Sequence, residues 1–270
     1  MGNLKSTALF GTRGKQTSGD FSSPRLSPEN LGLLGMTFNN ILKELPENAV
    51  CTLSMLEIAD EETLRDMLSI DPIDSQSKLR IRHLDHRGAV IQNLADTPID
   101  SLTGLEFLLR KAFYSQTALR IRKREGPRGH VVCTMKIWQN AVQRDLDRTT
   151  KCVTLQFVDL CSGHEVPGMD PTVLKRMASA RKSLSYLRGI LRGLILQEIS
   201  GESHSISYRE STLMKVLQRC LSEDGAQAVI LASVSAQVQA YEQTLHTLNF
   251  VNRLFVRPGK TAQSPFDRHA

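Results

Sequence analysis

The chain has 270 residues, 40% of them apolar, enough to bury a sizeable core in one domain. Its net charge of +6 favours an acidic partner (nucleic acid, an anionic membrane surface or the acidic face of a protein polymer) without choosing among them. The five cysteines are scattered, with no C-x-x-C pair, which argues against a disulfide framework and for a reducing compartment; no apolar run reaches membrane-spanning length, and no secretory leader is evident.

In chain order, Met1 to Ser6 fits the permissive myristoylation pattern M-G-x-x-x-[ST], and a single acyl chain anchors weakly. Residues 11–30 are rich in Gly, Ser, Thr and Pro and read as loop, which Arg13 and Lys15 make basic beside Gly11, Gly14 and Thr17. Leu31 to Leu45 reads as an amphipathic helix and Val50 to Ala59 as a strand. Asp60-Glu61-Glu62, ahead of Leu68, reads as the solvated first turn of a helix, where carboxylates favour the dipole. Asp85-His86-Arg87-Gly88 marks a hairpin between Leu79–Arg82 and Ala89–Ile91, and His83 and His86 lack further ligands at metal-binding spacing.

Ser101 opens a helix reaching about Arg120. His130–Gln139 and Lys151–Leu160 read as strands able to pair, and Asp159 falls at the carboxyl end of the second, where α/β folds place ligands. A helix is predicted from about Arg181 to Leu196, with Leu184, Leu187, Leu191 and Leu194 on one face and Arg181, Arg188 and Arg192 on a neighbouring one. Ser211 is expected to cap a helix lined by Leu213, Val216, Leu217 and Cys220. Ala226–Ala232 reads as a strand buried on both faces, and Tyr241, Leu245, Leu248, Val251 and Phe255 as the apolar face of a last helix that Pro258 stops.

Two runs in the last third carry a family resemblance. Tyr208-Arg209-Glu210-Ser211-Thr212-Leu213 resembles the Y-R-D/N-S-K-L-T run of the kinesin motor domain, and Glu242 to Arg253 resembles its E-T-L-S-T-L-x-[FY]-A-x-R. Arg181-Lys182-Ser183-Leu184-Ser185-Tyr186-Leu187 is similar to N-K-S-L-S-x-L, the start of the family's tubulin-docking helix. Phe157 to Glu165 resembles the second switch, V-D-L-A-G-S-E, with one extra residue. Phe10 to Thr17 resembles the phosphate loop, but Gln16 separates Lys15 from Thr17 and the G-x-x-x-x-G-K spacing is lost. Lys123 to His130 falls on the first switch, N-x-x-S-S-R-S-H; Arg128 and His130 match, while the Asn and all three serines are replaced.

The resemblance implies an α/β fold of the kinesin-like P-loop NTPase type. This is a mixed, largely parallel sheet with helices on both faces, without the family's first strand region, spanning residues 1–258 ahead of a tail at 259–270. It implies a microtubule-binding protein with a degenerate ATP site, a pseudoenzyme in the cytoplasm on the cytoskeleton. An active ATP-dependent motor is one alternative, and a non-catalytic interaction module with the same fold is another. Carried over, Arg128, Asp159, Gly163 and Glu165 hold the catalytic positions, and Gly11, Gly14, Lys15 and Thr17 the nucleotide-binding ones. Thr17 and Asp159 would hold the Mg²⁺ of Mg-ATP, and Arg181, Lys182, Arg188, Arg192, Tyr208 and Arg209 would face tubulin. Nucleic acid, stable membrane insertion and a coiled-coil dimerisation segment are not expected.

Overall fold

Strand β1 (Val50–Ile58) is the axis of the molecule, because its side chains are buried on both faces. Cys51, Leu53 and Met55 point to one side and Leu56 and Ile58 to the other, as the two-residue period of a strand requires. The computed structural model of the chain describes residues 8–10, 32–69, 79–84, 88–122, 129–139, 152–161, 170–201, 206–222 and 226–255.

On the first side lie helix α1 (Gly32–Glu44) and helix α2 (Leu102–Arg122). Leu34 and Phe38, one turn apart on α1, are fully enclosed together with Leu105 and Ala112 of α2. Each large side chain so buried contributes roughly 1.5–3 kcal/mol of transfer free energy. Phe10, in a helical turn at 8–10, tilts against Phe113 with ring centroids 5.3 Å apart, closing this core. Ser101 caps α2 as expected, its Oγ accepting from the Gly104 N–H at 3.2 Å.

The second side is covered by α3 (Pro171–Ser200), α4 (Thr212–Ser222) and α5 (Tyr241–Phe255), which bury Leu187, Leu213, Met214 and Leu254 against Leu56, Ile58 and Val132. The result is an α/β layering with helices on both faces of one sheet. The sheet is completed by β2 (Leu64–Asp66), β5 (Thr97–Ile99), β6 (His130–Trp138) and β7 (Cys152–Asp159). β1 pairs with β6 and β6 with β7, while β2 and β5 line the other edge of β1. The hairpin of β3 (Arg80–Leu84) and β4 (Gly88–Gln92) forms where it was expected and packs on α4.

Four expectations fail. The pairings among the described residues are all antiparallel, not largely parallel. β1 turns straight back into β2, β3 into β4 and β6 pairs with the next strand β7, and neighbours of that kind run antiparallel. The acidic run is no helix start: it makes a tight turn into β2, in which the Asp60 carboxylate accepts the N–H groups of Glu62 and Thr63 at 3.0 and 2.8 Å. Ala226–Ala232 forms no strand and stands exposed, since no ladder partner reaches it among the described residues. Finally, α5 forms at the expected place but turned over. Leu254 and Phe250 face the core, whereas Tyr241, Leu245 and Leu248 face solvent.

Candidate functional site

The pairing register brings the ends of three strands into one row. Glu57 of β1 lies opposite Val131 of β6, which lies opposite Asp159 of β7. Facing residues in such a ladder share one side, so Glu57 and Asp159 flank Val131, their backbones about 10 Å apart at two strand spacings. Both are buried, Glu57 to 1% and Asp159 to 3% exposure.

Glu57 is held from two directions. Arg65 Nη1 of β2 lies 3.3 Å from its Oε2, and the Gly129 N–H donates to its Oε1 at 3.1 Å. Gly129 itself allows no side chain, because a Cβ there would stand 1.9 Å from the Ile58 carbonyl oxygen. The next residue, His130, accepts the Cys161 N–H at Nδ1 over 3.0 Å, which fixes its neutral tautomer with the proton on Nε2. The backbone beside Arg128 is thereby tied to the backbone just past Asp159, so the two switch-like segments are anchored to each other at their described ends.

A second knot joins the turn after β1 to the helices of the far layer. The Glu61 carboxylate accepts the Thr212 N–H at 2.6 Å and the Ser183 hydroxyl at 3.0 Å, while its carbonyl accepts the Thr212 hydroxyl at 2.7 Å. Ser211 Oγ accepts the Met214 N–H at 3.3 Å, the cap expected from the sequence. Glu61 thus satisfies the first turn of α4 from outside and pins the middle of α3. Asp60 adds an ion pair to Arg176 of α3 at 3.8 Å. Burial opposes ionisation of Asp60, but the Glu62 and Thr63 hydrogen bonds and the Arg176 charge outweigh it and hold the carboxyl below its usual range. Its folded value being lowered, the stabilisation is present above the unfolded value near about 4 and is lost as pH falls further. The sequence offered no sign of either role, since both partners of Glu61 lie more than 120 residues away.

Helix α3 starts earlier than its apolar spacing suggests. Asp170 caps it by accepting the Thr172 N–H at 2.8 Å, Pro171 occupies the first turn, and Gly201 ends it in the left-handed conformation at φ 70°. Its buried face runs through Val173, Met177, Ala180, Ser183, Leu187, Ile190 and Leu191, with Leu184 and Leu194 only half covered. Arg181 and Lys182 are exposed, and Lys182 lies over the Tyr186 ring at 5.8 Å. Arg188 and Arg192, expected to face outward like Arg181, are half-buried instead, and Arg188 Nη2 approaches Ser185 Oγ at 3.5 Å. Arg209, past the end of the helix, is exposed as well. Tyr208, expected on the same contact, is corrected to a core residue: it is 9% exposed among the apolar side chains of the second core, and burial raises its hydroxyl pKa.

Of the remaining site residues read from the sequence, Gly11, Gly14, Lys15, Thr17, Arg128, Gly163 and Glu165 lie outside the described residues. Asp159 is the described member of the expected Mg²⁺ pair. Among the described residues no three His, Cys, Asp or Glu side chains converge to hold a metal ion. Of that pair, the described residues supply the buried Asp159 carboxylate. The buried thiols of Cys51 and Cys133 are pushed up by burial, Cys51 to about 11 with help from the Asp96 charge, so neither is a nucleophile. No helix among the described residues is long and apolar enough to cross a membrane.

A family model described as the kinesin motor domain matches residues 12–255. The chain is 28% identical over 206 residues to the kinesin-like protein KIN-12D of Arabidopsis thaliana, covering 75% of this chain and 7% of that protein. It is 28% identical over 228 residues to the kinesin-like protein KIF11 of Xenopus tropicalis, with 82% and 21% covered. To the kinesin-like protein KIF28P of Homo sapiens it is 29% identical over 203 residues, with 74% and 20% covered. The chain thus spans about a fifth or less of the length of these relatives. Among solved structures, the fold superposes with a TM-score of 0.70 on KIF14 with ADP in complex with a microtubule, at 20% identity, covering 96% of this chain and 71% of that one. It superposes with a TM-score of 0.65 on the motor domain of the Kar3-like kinesin from Ashbya gossypii, at 21% identity, with 93% and 70% covered.

Proposed function

The chain belongs to the kinesin motor-domain family, and from that premise we propose that it is a microtubule-binding protein of the cytoskeleton whose ATP site is degenerate. The observation that carries the reading is the charge on α3. The helix carries Lys175, Arg176, Arg181, Lys182, Arg188 and Arg192 against a single acid of its own, Glu198, near the far end, with Arg176 turned to Asp60. A helix that needed only solubility would mix signs along its surface. This one spans roughly 45 Å and is braced by Glu61 from behind, so it offers a rigid cationic face to an acidic polymer. A motor-like unit to residue 258 with a tail at 259–270 is the domain division that goes with this reading.

The test uses the exposed cations, because reversal of the half-buried Arg188 and Arg192 would also disturb packing. Replacing Arg181→Glu, Lys182→Glu and Arg209→Glu together leaves the helical circular dichroism unchanged and weakens co-sedimentation with microtubules at least about tenfold. Wild-type binding falls as salt rises, since exposed charges are screened within about 8 Å at physiological ionic strength. Equal co-sedimentation of variant and wild type across a salt series removes α3 as the contact.

The degenerate ATP site rests on the sequence: Gly126 and Pro127 stand where hydroxyls are expected, and Gln16 displaces Thr17 from Lys15. Neither Gly nor Pro can offer the hydroxyl that binds Mg²⁺ or positions a water. The expected result is no microtubule-stimulated ATP hydrolysis; turnover in the ordinary enzyme range, about 1–100 per second, would restore the active-motor alternative.

A further inference from the structure

The face that α3 turns to the core is apolar except at Ser183, which is 2% exposed and donates its hydroxyl to Glu61 Oε1 at 3.0 Å. An alanine there would pack without needing a partner, whereas a hydroxyl taken out of water must find one merely to break even. Apolar packing is non-directional and lets a helix roll or slide on its bed; a hydrogen bond holds one register. Seven residues earlier, on the same stripe of α3, Arg176 lies 3.8 Å from Asp60. Two successive residues of one turn therefore hold the helix at two points, two helical turns apart, which fixes both its roll and its slide. The second Glu61 oxygen accepts the Thr212 N–H at 2.6 Å, and the Glu61 carbonyl accepts the Thr212 hydroxyl at 2.7 Å. The exposed cations follow this grip closely in sequence. Arg181 and Lys182 immediately precede Ser183, and Arg209 stands three residues before Thr212.

We propose that Glu61 is a positioning residue for the polymer contact: acting through Ser183 and Thr212, it sets where Arg181, Lys182 and Arg209 stand relative to one another, and with that the affinity. The inference rests on the microtubule reading above and adds that charge alone does not suffice. A roll of α3 by about 20° moves a group at its outer radius, about 6 Å, by about 2 Å. A charge-assisted hydrogen bond, about 2.7–2.9 Å long, does not survive such a displacement.

Removing a carboxylate from a protein that binds an acidic polymer should, by charge alone, tighten the complex. Positioning predicts the opposite sign. Co-sedimentation with microtubules compares wild type, Glu61→Ala, Glu61→Gln and Ser183→Ala, at a temperature where circular dichroism shows each of them folded. The two Glu61 variants lose the same charge, but glutamine keeps the bonds, its oxygen accepting from Thr212 and its amide donating to Ser183 Oγ. The expected result is a Kd at least about fivefold weaker for Glu61→Ala and Ser183→Ala, with Glu61→Gln at wild-type strength or tighter. Ser183→Ala is neutral and places the best helix former in α3, so it carries the test if Glu61→Ala does not fold. Retention on immobilised polyglutamate, which offers negative charge without the geometry of a microtubule, stays at or above wild type for all three variants. Equal binding by Glu61→Ala and Glu61→Gln, or wild-type binding by Ser183→Ala, overturns the proposal and leaves the microtubule reading standing. Equal losses on microtubules and on polyglutamate also overturn it, because the cations would then be lost and not displaced. A wild type that does not co-sediment overturns both readings.

Discussion

Replacing Gly129 with alanine is expected to destabilise the chain by at least about 3 kcal/mol, a large share of the 5–15 kcal/mol that holds a typical domain folded. The added Cβ would lie 1.9 Å from the Ile58 oxygen and 2.6 Å from both the Ile58 carbonyl carbon and the Ala59 Cα. All three are backbone atoms of β1 and the turn that follows it, so no side-chain rotation relieves the contact. Either β6 moves away from β1 at its first residue or the Gly129 hydrogen bond to Glu57 breaks. Urea titration followed by circular dichroism reads the shift in midpoint at constant slope. A variant within 1 kcal/mol of wild type, about a fivefold change in the folding equilibrium, would mean that the strands are not packed this closely.

A comparable loss is expected for Arg65→Met, for an electrostatic reason. Glu57 is 1% exposed and keeps only the Gly129 N–H once the guanidinium is gone. Removing one member of a buried ion pair leaves a charge out of water without its partner, which costs about 3–5 kcal/mol. The double replacement Glu57→Leu and Arg65→Met should recover most of the loss, because apolar side chains of similar volume are often tolerated at such sites. If the single and double variants are equally unstable, packing by the Arg65 stem, not charge, holds β2 to β1.

These two sites also explain what was hidden from a linear reading. Glu57 in Leu56-Glu57-Ile58 looks like the polar residue of a half-exposed strand, and only the convergence of β2 and β6 shows it to be buried and paired. Glu61 looks like one of three solvated acids, yet it caps α4 and grips α3 through contacts across 151 and 122 residues. The cationic row on α3 was legible, because the helical period places Arg181, Arg188 and Arg192 together whatever the fold. Which of them remain accessible was not, since the packing around α3 half-buries Arg188 and Arg192. Tyr208 was misplaced for the same reason: a motif assigns a residue to a surface only when the packing beneath is also known.

By itself the sequence determined the helices α1, α2, α4 and α5, the strands β1, β6 and β7, the caps at Ser101 and Ser211, and the family. All of these follow from periods, caps and motifs that act over a few residues, where local propensity and local hydrogen bonds dominate. The tertiary structure decided the antiparallel order of the sheet, the buried side of α5 and the fate of Ala226–Ala232. An apolar run becomes a strand only if another backbone receives its hydrogen bonds, and a helix with apolar residues on two faces buries whichever one meets the core. Neither choice is local: each depends on a neighbour that the chain brings from far along its length.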